Sequence, residues 1–532
     1  MRTFESDVLV IGGGSAAVRA ALEAARSGVD TLIVDKGDPG HSGSSPVALV
    51  GFSGLFGDPG DSEEQFLADW VKASGGICDR DLVIQVIRHG PLIARDLKAL
   101  GIQFISNPDG SWFIARRAGH SARRTIMVKD HANTILPLRT AALAAGGRLC
   151  SGVMITRLLS SAGRVVGAAG VNAAGEPHLF KAGAVVLAAG GANRLYPNPA
   201  EEITDPIFRT SGDSYSLAFE AGLPLIDLEF CQFRDSPPAG PIFGAHYINA
   251  LGERVMLKYD PVALESAPRA TMARAIYTEN MQGRGPVVWH VEENQVARSR
   301  APVGQQYKAG QTVPIVLQFQ RLMGGTRIDD QAGTSMPGLY AAGESAGGIQ
   351  GGDRMQGCGF CETQVFGAIA GRSAAAFSRA HPRVAPDREE VQAECSRLAA
   401  RGGDEDPADF VREVQSIAWE RAGVVSEQAS LQQAIAALSE LRRVRGPKLR
   451  RSVGFSALEA LNLARTAELV AHAKLARQES RSAHQRADFP AADPQWTRHV
   501  CLTWGAGGAV EVSQVPVRMA PTATSMGSQL GS

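Results

Sequence analysis

"DVLVIGGGSAAVRAALEAARSGVDTLIVD", residues 7–35, joins an apolar run, a glycine cluster, a helical pattern and a second apolar run. This order is the β–α–β fingerprint of a dinucleotide-binding fold, with alanine in the last small position. Gly12 allows the tight turn, Gly14 lets the backbone approach a pyrophosphate, and Ala17 lets the helix pack on the strand. Asp35 ends the second strand, where a carboxylate can bind a ribose hydroxyl. The cofactor-binding residues predicted in this stretch are Gly12, Gly14, Ser15, Ala16, Ala17, Asp35 and Lys36.

Two more clusters of small residues follow distant apolar runs. The strand pattern at 184–187 leads into "AAGG" at 188–191, and "GLYAAGE" occupies residues 338–344. Small residues at three strand ends indicate a long cofactor lying across several segments of one sheet, which favours FAD over NAD. These clusters add four candidates for cofactor binding, Ala189, Gly190, Gly343 and Glu344.

The overall composition excludes several classes of protein. The chain has 532 residues, enough for two to four domains, and its 54 Lys+Arg equal its 54 Asp+Glu. A nucleic-acid-binding protein would usually carry a basic excess, so none is expected. Seven scattered cysteines fit a reducing compartment rather than a disulfide framework. No signal-peptide pattern and no apolar run of membrane-spanning length is found, so we expect a soluble, cytoplasmic protein.

Six further segments carry a family resemblance. They are "TSGDSYSLAFEAG" (210–222), "NALGERVM" (249–256), "APRATMARAI" (267–276), "MPGLYAAGESAGG" (336–348), "SIAWERAGVV" (416–425) and "LARQESRSAHQRADFP" (475–490). Together with the glycine fingerprint, they resemble the flavoproteins of succinate dehydrogenase and fumarate reductase. That family includes L-aspartate oxidase and the adenylylsulfate reductase flavoprotein, and the resemblance covers residues 7–463 and 479–517.

The resemblance implies an α/β fold with a Rossmann-like FAD-binding domain, an inserted α+β capping domain and a following helical domain. The FAD-binding domain would comprise residues 1–224 and 336–382, with the capping domain at 225–335. The helical domain would span 383–480, and a C-terminal segment 481–532. Helical periodicity over 388–478 supports the third part independently of the resemblance. Residues 518–532 are small and polar and are predicted to be disordered.

The resemblance also assigns substrate roles. Arg269 lies where the family has the arginine that donates or accepts a proton, and Arg354 where it has an arginine that binds a substrate carboxylate. A planar guanidinium suits both because it pairs bidentately with a carboxylate. Arg269 can alternatively bind anionic charge without transferring a proton, since an arginine pKa is ordinarily above about 12.

Three departures argue against succinate or fumarate as the substrate. Arg234 replaces the histidine of the family's "QFHPT", and Gln320 replaces the histidine of "HYxMGG". The family's proton-relay glutamate has no counterpart in residues 237–252. His246, in this altered stretch, is a candidate acid–base residue, although a lone histidine is more often structural. The pocket stays cationic, so we predict a small organic anion, a carboxylate other than succinate or fumarate.

The flavin contacts follow from the same resemblance. Ser44 stands at the position of the histidine that binds flavin covalently in some members, and His41 is three residues too early, so we expect non-covalent FAD. Asp213 matches the aspartate of the family's TGDG segment. The start of the helix in "GGDRMQGCGFCETQVFG" (351–367) would face the flavin edge and stabilise negative charge there. The remaining cofactor candidates are Ser44, Ser45, Asp213, Arg354, Gly357, Cys358, Gly359 and Phe360.

Two questions stay open from the sequence. Cys358 and Cys361 can mark only a helix start, or they can form a redox pair; a metal site is disfavoured because no second Cys/His cluster completes it. The activity can be hydride transfer between flavin N5 and an organic anion, or an L-aspartate-oxidase-like reaction with dioxygen. A third alternative is a flavoprotein subunit, like that of fumarate reductase or adenylylsulfate reductase, with an iron–sulfur partner. A homo-oligomer is equally compatible with the sequence.

Overall fold

The computed structural model describes residues 1–47, 51–130, 134–197, 210–236, 245–291, 308–400, 402–450 and 454–519. The strands are β1 (Arg2–Ile11), β2 (Thr31–Asp35), β3 (Gly51–Ser53), β4 (Ile114–Ala115), β5 (Thr125–Met127), β6 (Arg148–Ser151), β7 (Val153–Ser161), β8 (Arg164–Asn172), β9 (Pro177–Leu187), β10 (Leu225–Ile226), β11 (Cys231–Ser236), β12 (Ala245–Ile248), β13 (Val288–Val291), β14 (Thr312–Pro314), β15 (Val316–Leu322), β16 (Gly325–Arg327), β17 (Leu339–Ala341), β18 (Ala346–Gly347), β19 (Arg498–Trp504) and β20 (Val510–Pro516).

The α-helices of the described ranges vary from one turn to six. They are α1 (Ser15–Arg26), α2 (Glu63–Ala73), α3 (Arg80–Ala99), α4 (Leu136–Ala144), α5 (Asp213–Glu220), α6 (Met256–Tyr259), α7 (Arg269–Met281), α8 (Cys358–Ala380), α9 (Arg388–Ala399), α10 (Pro407–Ala422), α11 (Gln428–Glu440) and α12 (Ser456–Ala476). No helix in the part of the chain that the structure describes is long and apolar enough to cross a membrane.

The largest sheet has the strand order β6-β2-β1-β9-β8-β7, with β17 pairing to β9. Strands β2 and β9 flank β1 in parallel, β6 is parallel to β2, and β17 is parallel to β9. The inner half of β1 is fully buried because helices cover the sheet, as parallel sheets require. The predicted β–α–β unit is therefore confirmed. The three small-residue clusters follow β1, β9 and β17, which are neighbours in this sheet.

Close backbone contacts fix helices α1 and α8 against this sheet. Gly12 has φ +116°, and a Cβ atom there would collide with the Ala188 carbonyl. In α8, a Cβ atom at Gly367 would lie 2.7 Å from the Ala16 carbonyl oxygen, and one at Gly371 would collide with the Ala20 carbonyl. Glycine is required at residue 12 because the turns after β1 and β9 touch, and at residues 367 and 371 because α1 and α8 pack with their backbones in contact.

A second region, between β10 and β16, contains the short sheets that bear the predicted substrate residues. Strands β11 and β15 pair antiparallel, so that Gln232 faces Arg321 and Arg234 faces Gln318 across the pair. A bulge between Gln232 and Phe233 shifts the register there. Strands β12, β13 and β14 form a separate sheet, and α7 packs against β11.

The remaining elements are a group of helices and two C-terminal strands. Helices α10, α11 and α12 pack against one another, in agreement with the helical periodicity of residues 388–478. Strands β19 and β20 join a five-stranded sheet with β10, β16 and β18. The start of the segment predicted to be disordered departs from that prediction, since Arg518 Nε donates to Asp81 Oδ2 at 2.8 Å. Residues 520–532 lie outside the described residues.

Candidate active site

The N-terminus of α1 forms the first part of a cofactor cradle. Gly14 precedes the helix, and a Cβ atom there would lie 3.2 Å from Ser45 Oγ. The Ser15 backbone N–H donates to Ser45 Oγ at 3.0 Å, which brings this predicted residue from the following loop to the helix end. Ala16 and Ala17 are buried against the fold. The bare glycine turn and the helix N-terminus suit the phosphates of a dinucleotide.

Lys36 and Asp213, two further candidates, form a direct ion pair of 2.8 Å. Lys36 also contacts Glu459 at 2.5 Å, and the Asn462 amide donates to Asp213 at 3.0 Å. Burial acts to lower the pKa of Lys36, but the two carboxylates outweigh it and raise that pKa. Asp35 accepts a hydrogen bond from the Gly37 N–H at 2.9 Å. The partners on α12 were missed because more than 400 residues separate them from Lys36.

The other two small-residue clusters meet at the same sheet edge. Gly190 has φ +82°, and its N–H donates to Ser345 Oγ at 3.2 Å, next to Ala189 at the end of β9. Gly343 approaches α1 so closely that a Cβ atom would lie 2.9 Å from the Ala16 Cβ. The Glu344 carboxylate accepts a hydrogen bond from the Leu322 N–H at 3.2 Å, and burial raises its pKa. The predicted segments thus converge although 150 residues separate them.

Helix α8 begins at Cys358 after Gly357, which has φ +87°. No side chain of the described residues caps this helix end. The Cys358 N–H donates to the Met355 carbonyl oxygen at 3.4 Å, and the N–H groups that follow can meet an external acceptor. A Cβ atom at Gly359 would displace the end of the Arg354 side chain, which lies directly over this helix turn. Phe360 packs edge-on against Phe52. The predicted contacts Gly357, Gly359 and Phe360 therefore surround an open helix N-terminus, whereas the Cys358 thiol is fully buried.

A cluster of arginines lies beside that helix end. Arg269 is the first residue of α7, Arg321 is buried on β15, and Arg354 precedes α8. Burial, Arg321 and Arg269 together lower the pKa of Arg354 to about 9. Burial also lowers the pKa of Arg269 and that of Arg117, which faces Arg269. Burial causes all three shifts, and neighbouring arginines add to it at Arg354 and Arg117.

Nearby carboxyl groups compensate only part of this charge. Glu362 Oε2 lies 3.8 Å from Arg321 Nη1, and Asp353 accepts a hydrogen bond from the Arg354 backbone. Burial raises the pKa values of Asp353, Glu362 and Glu344, which weakens their ionised forms. Arg354 Nε has no hydrogen-bond partner among the described residues. The site is therefore suited to an anionic ligand.

Two glutamines, Gln320 and Gln232, accept hydrogen bonds from the arginines of this cluster. Arg269 Nη1 donates to Gln320 Oε1 at 2.5 Å, and Arg354 Nη2 to Gln232 Oε1 at 3.4 Å. The Gln232 amide in turn donates to Asp353. Arg269, Gln320 and Arg354 are each partly exposed.

Arg234 and His246 are the two remaining residues that the sequence predicts for the substrate site. Arg234 donates to Gln318 Oε1 at 3.0 and 2.7 Å. His246 lies on β12 next to Tyr247, and alternate strand residues point to opposite faces. Tyr247 donates to Asp235 at 3.0 Å on the side of Arg269, so His246 faces the other way. The part of the altered loop at 237–244 lies outside the described residues.

Sequence reasoning missed Arg321 and Arg117. Gln320 is the extra residue of the bulge, which lies in β15 opposite Gln232 and Phe233, so the following residue, Arg321, pairs with Gln232. A strand residue next to a site residue would normally face the other side of the sheet. Arg117 lies in a loop segment without any motif. Only the charge of the two side chains could have drawn attention to them.

The residues present fit a bound FAD. A glycine cradle without room for Cβ atoms, the uncapped start of α8 and three converging small-residue strand ends match a dinucleotide that crosses the sheet edge. Among the described residues, no group of three or more His, Cys, Asp or Glu side chains is placed to hold a metal ion.

Comparisons with known proteins agree with this arrangement. The family described as "FAD binding domain" matches residues 7–360, and "Fumarate reductase flavoprotein C-term" matches residues 411–528. The chain is 33% identical to a subunit of the CoM/CoB fumarate reductase of Methanothermobacter marburgensis, over 94% of this chain and 97% of that protein. It is 32% identical to L-aspartate oxidase of Caulobacter vibrioides, over 93% and 96%.

A solved structure, Sdh1 of Mycobacterium smegmatis, superposes with a TM-score of 0.85 at 26% identity and covers 98% of this chain and 96% of its own. The fold, the cradle and the two family matches lead to one conclusion. The chain belongs to the succinate dehydrogenase and fumarate reductase flavoprotein family, and it is an FAD-dependent oxidoreductase.

Proposed function

We propose that this enzyme exchanges a hydride with a small organic anion, a carboxylate other than succinate or fumarate. Bound FAD supplies the hydride donor or acceptor at flavin N5. The observation that carries the proposal is the arginine cluster of Arg117, Arg269, Arg321 and Arg354, whose charge the buried carboxyl groups offset only in part. An anion at this cluster would relieve this repulsion, and a carboxylate would pair with a guanidinium bidentately.

The neighbours of Arg269 support its role at the reacting carbon. Asp353, Asp235 and Tyr247 all act to raise its pKa against the effect of burial. A buried guanidinium beside such groups can hold or pass on a proton, which Gln320 cannot do because an amide does not titrate. Gln320 instead accepts a hydrogen bond from Arg269 and orients it. We therefore assign proton handling to Arg269 and anion binding to Arg354.

The lost histidines support a substrate outside the C4 dicarboxylates. Gln320 and Arg234 occupy the two positions, and the Arg234 guanidinium donates two hydrogen bonds to Gln318 Oε1. A dicarboxylate would need a second set of donors at its far end. Arg321 and Arg117 add positive charge near Arg354 and Arg269. The set of side chains that would recognise the substrate therefore differs from the histidine-containing set of the family.

The division into domains is part of the proposal. Residues 225–335 would cap an FAD-binding domain made of 1–224 and 336–382, with helices at 383–480 and a C-terminal segment at 481–532. The separate β11–β15 and β12–β13–β14 sheets within 225–335 support a distinct cap. The placement of Arg269 and Gln320 on that cap would let it complete the substrate site.

Anion binding can be tested by titrating the oxidised, FAD-loaded protein with carboxylates and following the flavin spectrum. We expect saturable changes with unsaturated or keto acids that weaken at high salt. Saturation by succinate and fumarate alone would overturn the proposed substrate class. Acid precipitation of the same sample tests the flavin linkage, and we expect the flavin in the supernatant. Flavin retained in the pellet would show a covalent bond.

A second candidate function is an electron-transfer subunit. It is favoured by the CoM/CoB fumarate reductase protein of Methanothermobacter marburgensis, a subunit by name, which matches this chain along almost its whole length. An L-aspartate-oxidase-like reaction is the other family alternative. Reoxidation of the reduced flavin separates them. Rapid reoxidation by air favours the oxidase, whereas slow reoxidation by air and by every carboxylate favours a subunit that needs an iron–sulfur partner.

A further inference from the structure

Cys358 and Cys361 lie on the first turn of α8, and both are fully buried. Side chains three residues apart on a helix are neighbours. Helix geometry places their Cα atoms about 5 Å apart, within the roughly 4.4–6.8 Å that a disulfide bridges. The Cys361 thiol is turned toward the start of the helix, since its Sγ donates to the Cys358 carbonyl at 3.1 Å. The pair can therefore close without moving the helix.

Polar side chains from other elements surround the Cys358 thiol. His120 approaches from the loop after β4, with Nε2 2.7 Å from the Gln356 carbonyl oxygen. Ser53 approaches from β3, where its hydroxyl contacts Thr125 at 2.8 Å. Burial acts to raise the pKa of Cys358, but Cys361, His120 and Ser53 outweigh it and lower that pKa.

The pKa values of the two thiols are shifted in opposite directions, as expected for an attacking thiol and a resolving thiol. Burial and the nearby Cys358 raise the pKa of Cys361. Cys358 and the Gln356 carbonyl raise the pKa of His120 against the effects of burial and of Arg124, whose Nη1 lies 3.4 Å from His120 Nδ1. The other charged groups facing Cys358 are Arg354, which favours a thiolate, and Glu362, which opposes it.

Other cysteines of the chain show no comparable arrangement. Burial raises the pKa values of four of them, Cys78, Cys150, Cys231 and Cys501. Cys78 is the best comparison, since it is equally buried and its Sγ accepts a hydrogen bond from the Ser74 hydroxyl at 3.2 Å. A serine hydroxyl beside a buried thiol is therefore not sufficient to lower the thiol pKa. The neighbouring thiol and the imidazole distinguish Cys358 from Cys78.

We propose that Cys358 and Cys361 form a redox-active dithiol that reduces hydroperoxides and closes to a disulfide. The Cys358 thiolate attacks one peroxide oxygen and breaks the O–O bond, while the leaving oxygen takes a proton from His120. Cys358 becomes a sulfenic acid. The Cys361 sulfur then attacks it, the S–S bond forms, and the hydroxyl leaves with the Cys361 proton as water. The two sulfurs lose two electrons, and the peroxide gains them.

Burial restricts the oxidant to a small molecule. Hydrogen peroxide is about as small as the water molecules that penetrate proteins by local opening, whereas a protein disulfide could not reach the pair. Dioxygen yields hydrogen peroxide when it reoxidises a reduced flavin, so the oxidant can arise beside the dithiol. The inference does not depend on which anion the enzyme converts.

The test uses the FAD-loaded protein, kept reduced and treated with one equivalent of hydrogen peroxide. After alkylation of the remaining thiols in denaturant, peptide mass spectrometry should find a Cys358–Cys361 disulfide. We expect these cysteines to oxidise at least 10-fold faster than the more exposed Cys150 and Cys395. If Cys150 or Cys395 oxidises first while Cys358 stays reduced, the proposal is wrong.

Variants test the assigned roles. In Cys361→Ser, a sulfenic acid should accumulate on Cys358 and be trapped by dimedone. In His120→Asn, oxidation should slow and require higher pH, because the thiolate loses its imidazolium partner. Cys78→Ser is the matched control and should oxidise like the wild type. Wild-type rates in both Cys361→Ser and His120→Asn, without trapped sulfenic acid, would contradict the roles of these residues.

Discussion

Arg354 is packed among like charges that its surroundings balance only in part. Its Nε lacks a hydrogen-bond partner among the described residues, and Arg321 and Arg269 add to the effect of burial on its pKa. Such an arrangement destabilises the ligand-free protein and stabilises an anionic complex. Functional sites commonly carry this kind of local cost.

Replacing Arg354 with methionine should separate these two effects. We expect carboxylate affinity to fall by about 30-fold to several-thousand-fold, the range of about 2–5 kcal/mol for losing one partner of a buried charge pair. The melting temperature of the ligand-free protein should rise, because repulsion with Arg321 and Arg269 disappears. Flavin-monitored titration and thermal unfolding measure the two quantities.

The control for this prediction is Arg412→Met on α10, an exposed arginine whose ion pair among the described residues is with Asp409. It should change the binding free energy of the carboxylate by no more than about 0.5 kcal/mol and leave the melting temperature close to that of the wild type. Arg354→Lys keeps the charge but loses the planar fork, so its affinity should lie between those of the wild type and the methionine variant. Unchanged affinity in Arg354→Met would remove Arg354 from the anion site.

At the scale of elements, the contact between α1 and α8 holds the cofactor cradle and the active-site helix in one frame. Gly367 and Gly371 give α8 a bare surface against α1, and Gln364 of α8 donates to Ser15 Oγ at 2.7 Å. The two helix N-termini that can face a cofactor are therefore fixed relative to each other. A change at this contact should affect stability and FAD binding together.

Gly371→Ala tests this contact. A Cβ atom at residue 371 would collide with the Ala20 carbonyl, so we expect a loss of roughly 1–3 kcal/mol in the free energy of unfolding. Gly90→Ala in α3 is the matched control: its Cβ would lie 3.6 Å from the Ser53 carbonyl oxygen, an ordinary contact. That variant should be neutral or stabilised by up to about 1 kcal/mol. Urea unfolding compares them, and equal stabilities would contradict the close packing.

The elements near the chain start could be predicted well because their signals are local. Gly12, Gly14 and Asp35 fix a turn, a helix and a strand within 30 residues, and the structure confirms all three elements. The site in the second region was harder to foresee. The position of Arg321 depends on a bulge in β15, and His246 faces away from Arg269 because of strand alternation. Neither strand register nor a bulge is encoded by composition.

At the scale of the whole molecule, the C-terminal strands tie distant parts of the chain together. His499 on β19 is fully buried between two carboxylates, with Nδ1 2.6 Å from Asp227 Oδ2 and Nε2 3.0 Å from Asp79 Oδ1. Asp79 precedes α3, and Asp227 follows β10. Burial acts to lower the pKa of His499, but Asp227 and Asp79 outweigh it and raise that pKa to about 10.

This triad predicts a pH-dependent stability. A raised folded-state pKa means that the stabilisation is complete below about pH 6.5, the unfolded value, and is lost as pH rises through about 10. His499→Gln should therefore lose about 3–5 kcal/mol at pH 7, because it leaves the buried Asp227 without its imidazolium and Asp79 with the half-buried Arg518 alone, 3.2 Å away. Above pH 10, the difference between the variant and the wild type in the free energy of unfolding should become smaller, and urea unfolding measures it.

His472→Gln on α12 is the control for the triad. Burial lowers the pKa of His472, so this side chain is neutral at pH 7 and its loss should cost little. A wild-type-like His499→Gln, or a deficit that stays constant between pH 7 and pH 10.5, would contradict the assignment of a charged imidazole. The Lys36–Asp213–Glu459 contacts join the first strands to α12 in a similar way.

The substrate class is the central claim, and anaerobic rapid mixing tests it most directly. The flavin is fully reduced, and its reoxidation is followed with fumarate and, separately, with a panel of unsaturated and keto monocarboxylates at equal concentration. We expect at least one panel member to reoxidise the flavin more than 10-fold faster than fumarate, and Arg354→Met to abolish that advantage. Fumarate as the fastest acceptor, with succinate reducing the oxidised flavin within seconds, would contradict the account.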